Sequence, residues 1–430
     1  MRAAIGRRQN RYNDWRRLRG GCERALDFGR VRTHPWRGAN ASGAVRDSVP
    51  PVSPTPPRGL EGKMVIASRT DQVGSLLRPA SLLNARTQHT EGALPLAELR
   101  RCEDEAILAA LAMQRETGIG VFTDGELRRA AWMSDLAEAV DGFIDDHAIM
   151  RWQSADGAVV EEPSKAKVVG ARLRQLRRLT AHEADFLAQH APGPYKMTLP
   201  SPAAMGNSYK PGVTDAAYAS PAALLADLVP IVRGELQALV AEGVPYLQLD
   251  EGFAPFVGEG WRERLRQRGL DPDAALAEVI AAENACYDAL PRERVTLGMH
   301  VCRGNSRSRW VSSGGYDWLA EQVFGALHVD RFLLEYDSER SGSFAPLRFV
   351  PPDKIVVLGL VSTKTGALER QDDLLRRIED AARYLPLEQL ALSPQCGFAS
   401  VAEGNLLTPE EQRAKLALVV DTARKVWGES

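Results

Sequence analysis

His300 and Cys302 stand two residues apart in MHVCRGN, residues 299–305, at the end of the apolar run VTLGMHVC. In an extended strand, residues i and i+2 point to the same face, so an imidazole and a thiol at this spacing can reach one ion. Two ligands do not make a stable centre, because zinc sites take three or four nitrogen, sulfur or carboxylate donors. On its own the pair also fits a buried cysteine beside a hydrogen-bonded histidine, which is the commoner occurrence. Two more donors change the reading. Glu335 in RFLLEYD and Cys396 in QLALSPQC end later β-rich runs. If those ends converge, the set becomes His, Cys, Glu and Cys. Two thiolates with an imidazole suit zinc, and the carboxylate supplies a fourth ligand that can yield to a substrate. Such a centre is suited to thiol chemistry, since a metal-bound thiol is held as thiolate at neutral pH without a dedicated base.

Converging ends require a particular scaffold. Eight β-rich runs follow one another from residue 69 onward: 69–75, 120–126, 195–201, 245–251, 295–302, 331–337, 354–361 and 389–396. Several follow long helical patterns with recognisable starts. Asp271 can cap before Pro272, and Ser220 can cap before Pro221, with Gly243 just past that helix's end and Pro230 expected to kink it. Alternating helix and strand implies parallel strands with crossover helices. Eight units predict a (β/α)8 TIM barrel with an insertion between the second and third strands, at residues 127–194, part of it hairpin-like. Active sites of such barrels sit at the C-terminal ends of the strands. Ser75, Asp124, Glu126, Asp250, Glu251, His300, Cys302, Glu335 and Cys396 all fall at or just past those ends. An open sheet would gather its ligands at one switch point instead.

Composition narrows the function classes. The chain has 430 residues, 44% of them hydrophobic, and a formal net charge of −2. That gives no global reason for nucleic-acid binding, and no apolar run nears the roughly 20 residues of a membrane-spanning helix. A cytoplasmic enzyme with small-molecule substrates is the expectation. Five scattered cysteines form no disulfide framework; Cys102 and Cys286 lie in helical patterns and read as core. Residues 1–63 differ from the rest, with 14 lysines and arginines against 5 acids and a closing VPPVSPTPPRGLEG. This predicts a disordered basic, proline-rich arm. Its character suits sequence upstream of a native start at Met64 better than a nucleic-acid-binding tail or a targeting peptide. Residues 64–430 are then the barrel.

The segments QVGSLLRP, TDGE, LQLDE, HVCRGN, LLEYDSERSG, LVSTKTGALE and LSPQCGFASVAEGN together resemble the cobalamin-independent methionine synthase family, from about residue 68 to 428. The likeness is to its catalytic C-terminal barrel and to short single-barrel members. The resemblance implies a zinc-dependent methyltransferase that moves a methyl group from a folate to homocysteine. It implies zinc held by His300, Cys302, Glu335 and Cys396, the four residues that the strand ends suggest. It also implies that homocysteine is held by Gly74 and Ser75 of the GS turn and by Glu126 and Asp250. No catalytic residue is implied beyond the zinc-activated thiol. An α-ammonium calls for such carboxylates, and an α-carboxylate can use a hydroxyl and backbone amides.

The chain departs from the family pattern where the methyl donor would sit. It has room for one barrel where the full-length folate enzyme has two. The segment that should carry a tryptophan against the pterin reads TLPSPAAMGNSYKPG, with Tyr209 nearby, and the family's DEP reads DEG through Gly252. The donor is therefore open between methyltetrahydrofolate, its polyglutamate and a simpler molecule. Lys196, Lys210, Arg303, Arg340 and Lys364 are candidate contacts for an anionic donor, although each also fits a salt-bridged charge. Arg303 and Asn305 follow the ligands into the mouth, where either could face substrate. Two other readings stand beside methyl transfer. One is a zinc thiol alkyltransferase similar to the epoxyalkane:coenzyme M transferases, and the other is a non-catalytic barrel that binds zinc or a methionine-like ligand. Glu126 and Asp250 favour an amino-acid thiol, since a sulfonate would call for cations.

Overall fold

A computed structural model describes residues 66–258 and 260–428. The expected arm at 1–63 lies outside the described residues. Two strands, β1 (Val140–Gln153) and β2 (Val159–Gln175), pair antiparallel as a long ribbon. This ribbon is the insertion, and it begins well before the hairpin-like stretch that the sequence singles out. Six further strands form a parallel sheet: β3 (Met197–Pro200), β4 (Tyr246–Asp250), β5 (Thr296–Val301), β6 (Arg331–Glu335), β7 (Ile355–Val361) and β8 (Leu390–Pro394). They pair in chain order, β3 through β8. Every residue of the six is buried, the mark of a parallel sheet covered on both faces.

The crossover helices begin where the capping residues are. Ser220 accepts a hydrogen bond from the Ala223 amide and starts helix Pro221–Ala241, which runs on through Pro230. Asp271 does the same for helix Pro272–Tyr287 through the Ala274 amide. Their apolar faces, with Leu228, Leu236 and Leu276, join the main core. A second apolar cluster of Val73, Leu333, Ile355, Val357 and Ala391 draws on β6, β7, β8 and the segment 66–76.

The eight predicted strands are not eight ladders. The runs 69–75 and 120–126 each make one isolated parallel bridge, Thr70 to Leu392 of β8 and Phe122 to Tyr195 ahead of β3. The physical reason is that their polar side chains take up the backbone groups a ladder would use. Thr70 Oγ1 accepts from the Gly120 amide at 2.8 Å, Gln72 Nε2 donates to Val121 O at 3.0 Å, and Thr123 Oγ1 donates to Gly74 O at 2.8 Å. Gln114, from helix Leu96–Thr117, accepts from Gln72 and from the Thr123 amide. Two segments thus flank the sheet at its two edges and are tied to each other by side chains.

Candidate metal centre

His300 is the fifth residue of β5 and pairs with Leu333 of β6, while Cys302 follows the strand by one residue. The His300 Nδ1 sits 3.1 Å from Leu333 O. A carbonyl can only accept, so Nδ1 carries the proton and Nε2 holds the free lone pair. That Nε2 is buried and has no protein partner. Glu335 closes β6 and Cys396 lies two residues past β8. Ligand atoms from His300, Cys302, Glu335 and Cys396 all lie within 4.8 Å of one another, and all four residues are buried. This arrangement could hold a metal ion. The orphaned Nε2, the paired sulfurs 3.7 Å apart and the carboxylate give the donor types and closeness that one cation requires.

The surroundings orient each donor. Glu335 Oε1 accepts from the Arg303 amide at 2.8 Å and Oε2 from Arg340 at 3.1 Å, leaving each oxygen a second lone pair. The Gly304 amide lies 3.2 Å from Cys302 Sγ. Hydrogen bonding from Cys302 and the nearby positive charge of the His300 ring hold the Cys396 thiol well below the ordinary thiol range, against the opposing effect of burial. Cys302 is pushed well above that range by the same contact and by burial. For His300 burial works against the charged ring, yet the Cys396 sulfur and the nearby Asp250 and Glu335 outweigh it and push the imidazole up to about 9. A proton here occupies the electrostatic role that a cation would take, so metal binding must release it.

Beside this cluster lies a group of buried acids. Asp250, the last residue of β4, pairs in register with His300. Burial pushes Asp250 up to about 7, with Glu126 adding to the rise and His300 opposing it. Burial is also the main cause that raises Glu126, and it takes Asp124 to about 7 and Glu251 to about 8. Glu126 Oε1 accepts from Thr198 Oγ1 at 2.8 Å, whereas Glu126 Oε2 and Asp124 Oδ2 are buried without a protein partner. Glu126 and Glu251 hold left-handed backbone, φ 56° and 71°, which non-glycine residues adopt at a cost. Neither Asp250 nor Glu251 caps a described helix.

The GS turn touches both groups. A Cβ on Gly74 would come within 2.8 Å of Glu126 Oε1, so only glycine lets this carboxylate so close. Ser75 O accepts from the Phe398 amide at 2.8 Å and Ser75 Oγ from the Ala399 amide at 3.3 Å, tying the turn to the loop after Cys396. The structure therefore gathers all eight predicted site residues at one end of the sheet. Three residues that support them escaped the sequence reading. Arg78 donates to Arg129 O, Ala399 O and Val401 O, which fastens three loops around the site. Arg129 pairs with Glu183 at 2.7 Å and donates to Thr198 O. Gln248 donates to Asp250 Oδ1 at 2.7 Å while its oxygen accepts from Lys196 at 2.6 Å. Gln248 precedes Asp250 by two in a strand, the same signal that links His300 to Cys302.

The candidate anion contacts separate. Lys196 is buried against Asp71 at 2.7 Å, Lys210 pairs with Asp146, and Arg340 is taken by Glu335 and Asp337. Arg303 is buried beneath the Tyr316 ring and donates to Tyr316 Oη, Glu335 O and Gly314 O. Asn305 donates to Gly397 O and Ser400 Oγ and accepts from Lys364 and Asn405. Arg303 and Asn305 hold loops in place. Tyr209 donates to Asp215. Cys286 is buried, as expected, and Cys102 is partly buried against the core.

The model of the cobalamin-independent synthase catalytic domain matches residues 68–425. The uncharacterized protein YxjH of Bacillus subtilis is 39% identical, over 84% of this chain and 94% of its own length. A methionine synthase of Pyrococcus abyssi is 25% identical over 76% of this chain and 86% of its own. Among solved structures, a candidate vitamin-B12-independent methionine synthase of Listeria monocytogenes superposes with a TM-score of 0.61 at 30% identity, covering 84% of this chain and 98% of that one. A B12-independent methionine synthase of Shewanella sp. W3-18-1, solved with selenomethionine, shares the fold with a TM-score of 0.63 at 18% identity, over 83% of this chain and 96% of that one.

Proposed function

This chain belongs to the family of cobalamin-independent methionine synthase catalytic domains, and from that premise we propose that it is a zinc-dependent thiol methyltransferase making methionine from homocysteine. The single observation that carries the reading is the convergence of four ligand atoms, within 4.8 Å, beside buried acids at the same strand ends. His300, Cys302, Glu335 and Cys396 would hold the metal. Zinc bound there would keep an incoming thiol as thiolate at neutral pH.

The chain's own groups do the rest. Asp250 and Glu126 accept hydrogen bonds from the α-ammonium, each with an oxygen left over after its internal bond. An ammonium arriving between two buried acids favours their charged forms, so binding the amino acid reverses the rise that burial causes. Gly74 and Ser75 face the α-carboxylate from the turn that also touches the Cys396 loop. Two acids are the opposite of what a sulfonate thiol requires, which disfavours a coenzyme M type of acceptor. The methyl donor is a methyltetrahydrofolate, its polyglutamate or a simpler molecule. The segments at Thr70 and Phe122 complete a closed (β/α)8 barrel over residues 64–430 in this reading, supported by the hydrogen bonds that link them. Among the described residues no helix is long and apolar enough to cross a membrane, and a cytoplasmic location is part of the proposal.

The test is methionine formation by zinc-loaded protein with homocysteine and, in turn, methyltetrahydrofolate, its triglutamate and S-methyl donors. Transfer from one of them is expected. No transfer from any, with zinc in place, would leave a non-catalytic binding barrel and end this reading. Zinc-edge X-ray absorption should gain a sulfur at about 2.3 Å when homocysteine is added.

A further inference from the structure

The ribbon touches the surroundings of the metal centre through one aromatic side chain. Gln153, the last residue of β1, exchanges both backbone hydrogen bonds with Trp310, at 2.8 and 3.0 Å. The indole Nε1 donates to Gln153 Oε1 at 3.3 Å and to Ser313 Oγ at 3.1 Å. Backbone and ring nitrogen are both anchored, so the plane of the ring is fixed.

The face of that ring carries Arg340. Its guanidinium carbon lies 4.7 Å from the ring centroid, within the range of a cation–π contact. The Arg340 side chain is 8% exposed, and its Nη2 is shared by two carboxylates, Glu335 Oε2 at 3.1 Å and Asp337 Oδ1 at 2.7 Å. Its Nε donates to Ser338 Oγ at 3.2 Å, whereas Nη1 is buried without a protein partner among the described residues. Hydrogen bonding alone therefore does not select Glu335. The shorter contact is to Asp337, and one nitrogen of the fork is idle.

We propose that Trp310 is a positioning residue for the metal centre: held by the ribbon, it seats Arg340 so that one nitrogen reaches Glu335 as well as Asp337. Without the ring the guanidinium is free to turn wholly to Asp337, and Glu335 loses the donor that orients its second oxygen. The inference rests on the metal-centre reading and does not depend on the methyl donor. It gives the insertion between the second and third predicted strands a role, as a brace for one ligand from outside the sheet.

The test compares the full chain with its Trp310→Ala, Trp310→Phe and Arg340→Met variants and with the variant carrying both Trp310→Ala and Arg340→Met. Zinc affinity is measured by competition with a chromophoric chelator, and the cobalt-exchanged proteins are compared by visible absorption. Trp310→Ala should weaken zinc about threefold to tenfold, scaled from one cation–π contact, and should shift the cobalt bands. Trp310→Phe keeps a ring face and loses the indole N–H, so it should stay within about twofold of wild type with unshifted bands. Beside Arg340→Met, the change Trp310→Ala should add less than about twofold, because the ring acts through Arg340. Three results would each overturn the assignment: Trp310→Ala with wild-type affinity and bands, Trp310→Phe as weak as Trp310→Ala, or an undiminished effect of Trp310→Ala beside Arg340→Met. A wild-type chain that holds no zinc would instead sink the metal-centre reading, and the same competition records that separately.

Discussion

The two halves of the site are built differently. The metal half stands on β5, β6 and β8, where ladder hydrogen bonds set two of the donors, His300 paired with Leu333 and Glu335 with Gly359, while Cys302 and Cys396 follow just past the ends of β5 and β8. Most of the acid half stands on the segments 66–76 and 120–126, which make one bridge each and are joined by Thr70, Gln72, Gln114 and Thr123. Asp250, on β4, is where the two halves meet. A ladder fixes spacing through backbone groups that no substitution removes. Side-chain ties can be cut one at a time. The metal half should therefore respond most to loss of a ligand, whereas the acid half should respond to changes well away from the substrate.

The largest expected effect is at the ladder side. Cys302→Ala or Cys396→Ser should weaken zinc by more than the roughly 10–100-fold that outer partners alone are worth, and methyl transfer should fall with metal content measured by mass spectrometry. The fold should survive, because the strands keep their pairing; circular dichroism close to wild type would bear this out. Next is Asp250→Asn, which removes a charge from the proposed ammonium contact. It should raise the homocysteine KM roughly 10–100-fold at full zinc occupancy, the worth of one charged hydrogen bond. A variant that lost zinc instead would place Asp250 in the metal half.

Arg78 sharpens the contrast between the halves. Its guanidinium is lowered to about 10 by burial, with Glu126 opposing, and it stitches three loops through carbonyl oxygens. Arg78→Met should cost about 2–3 kcal/mol of stability in urea unfolding, by stranding buried carbonyls. It should raise the homocysteine KM more than it lowers zinc affinity. Equal losses in both would mean that the halves are mechanically one unit.

The smallest effect concerns pH. Burial pushes Glu283 up to about 8, and this side chain backs onto Gly252, just after the Asp250–Glu251 pair. A carboxyl raised in the folded state contributes stability that is complete below its unfolded value near 4.5 and is lost as pH rises through about 8. Glu283→Gln should therefore flatten the fall in Tm between about pH 4.5 and pH 8, with a gain on the order of 1 kcal/mol at the alkaline end. An unchanged slope would show that other buried acids, such as Asp124, dominate the dependence.

Much of the candidate site was legible before the fold. His300, Cys302, Glu335 and Cys396 differ in type from the apolar residues around them and sit at run ends, so chemistry and period agree. Gly74, Ser75, Glu126 and Asp250 came from motif resemblance, and the structure brings them to the same end. The runs 69–75 and 120–126 make one bridge each where full ladders were expected, because β-propensity says nothing about whether a neighbour's side chain will take the ladder's hydrogen bonds. The full length of the ribbon was hidden too, since β1 and β2 are largely solvated and mix polar residues without a clean alternation.

Local order thus determined which residues have the chemistry to bind a cation, where helices start at Ser220 and Asp271, and six of the eight runs as buried strands, because each depends on neighbours a few positions away. Tertiary structure alone decided what long-range distances decide. It stranded His300 Nε2 beside two sulfurs, and it turned Arg303 and Asn305 inward as loop ties. It also left Lys364 buried among neutral oxygens at a cleft that a ribbon tip some 200 residues earlier in the chain completes. Burial and charge at a point are sums over everything packed around it, and in a parallel sheet those neighbours come from distant parts of the chain.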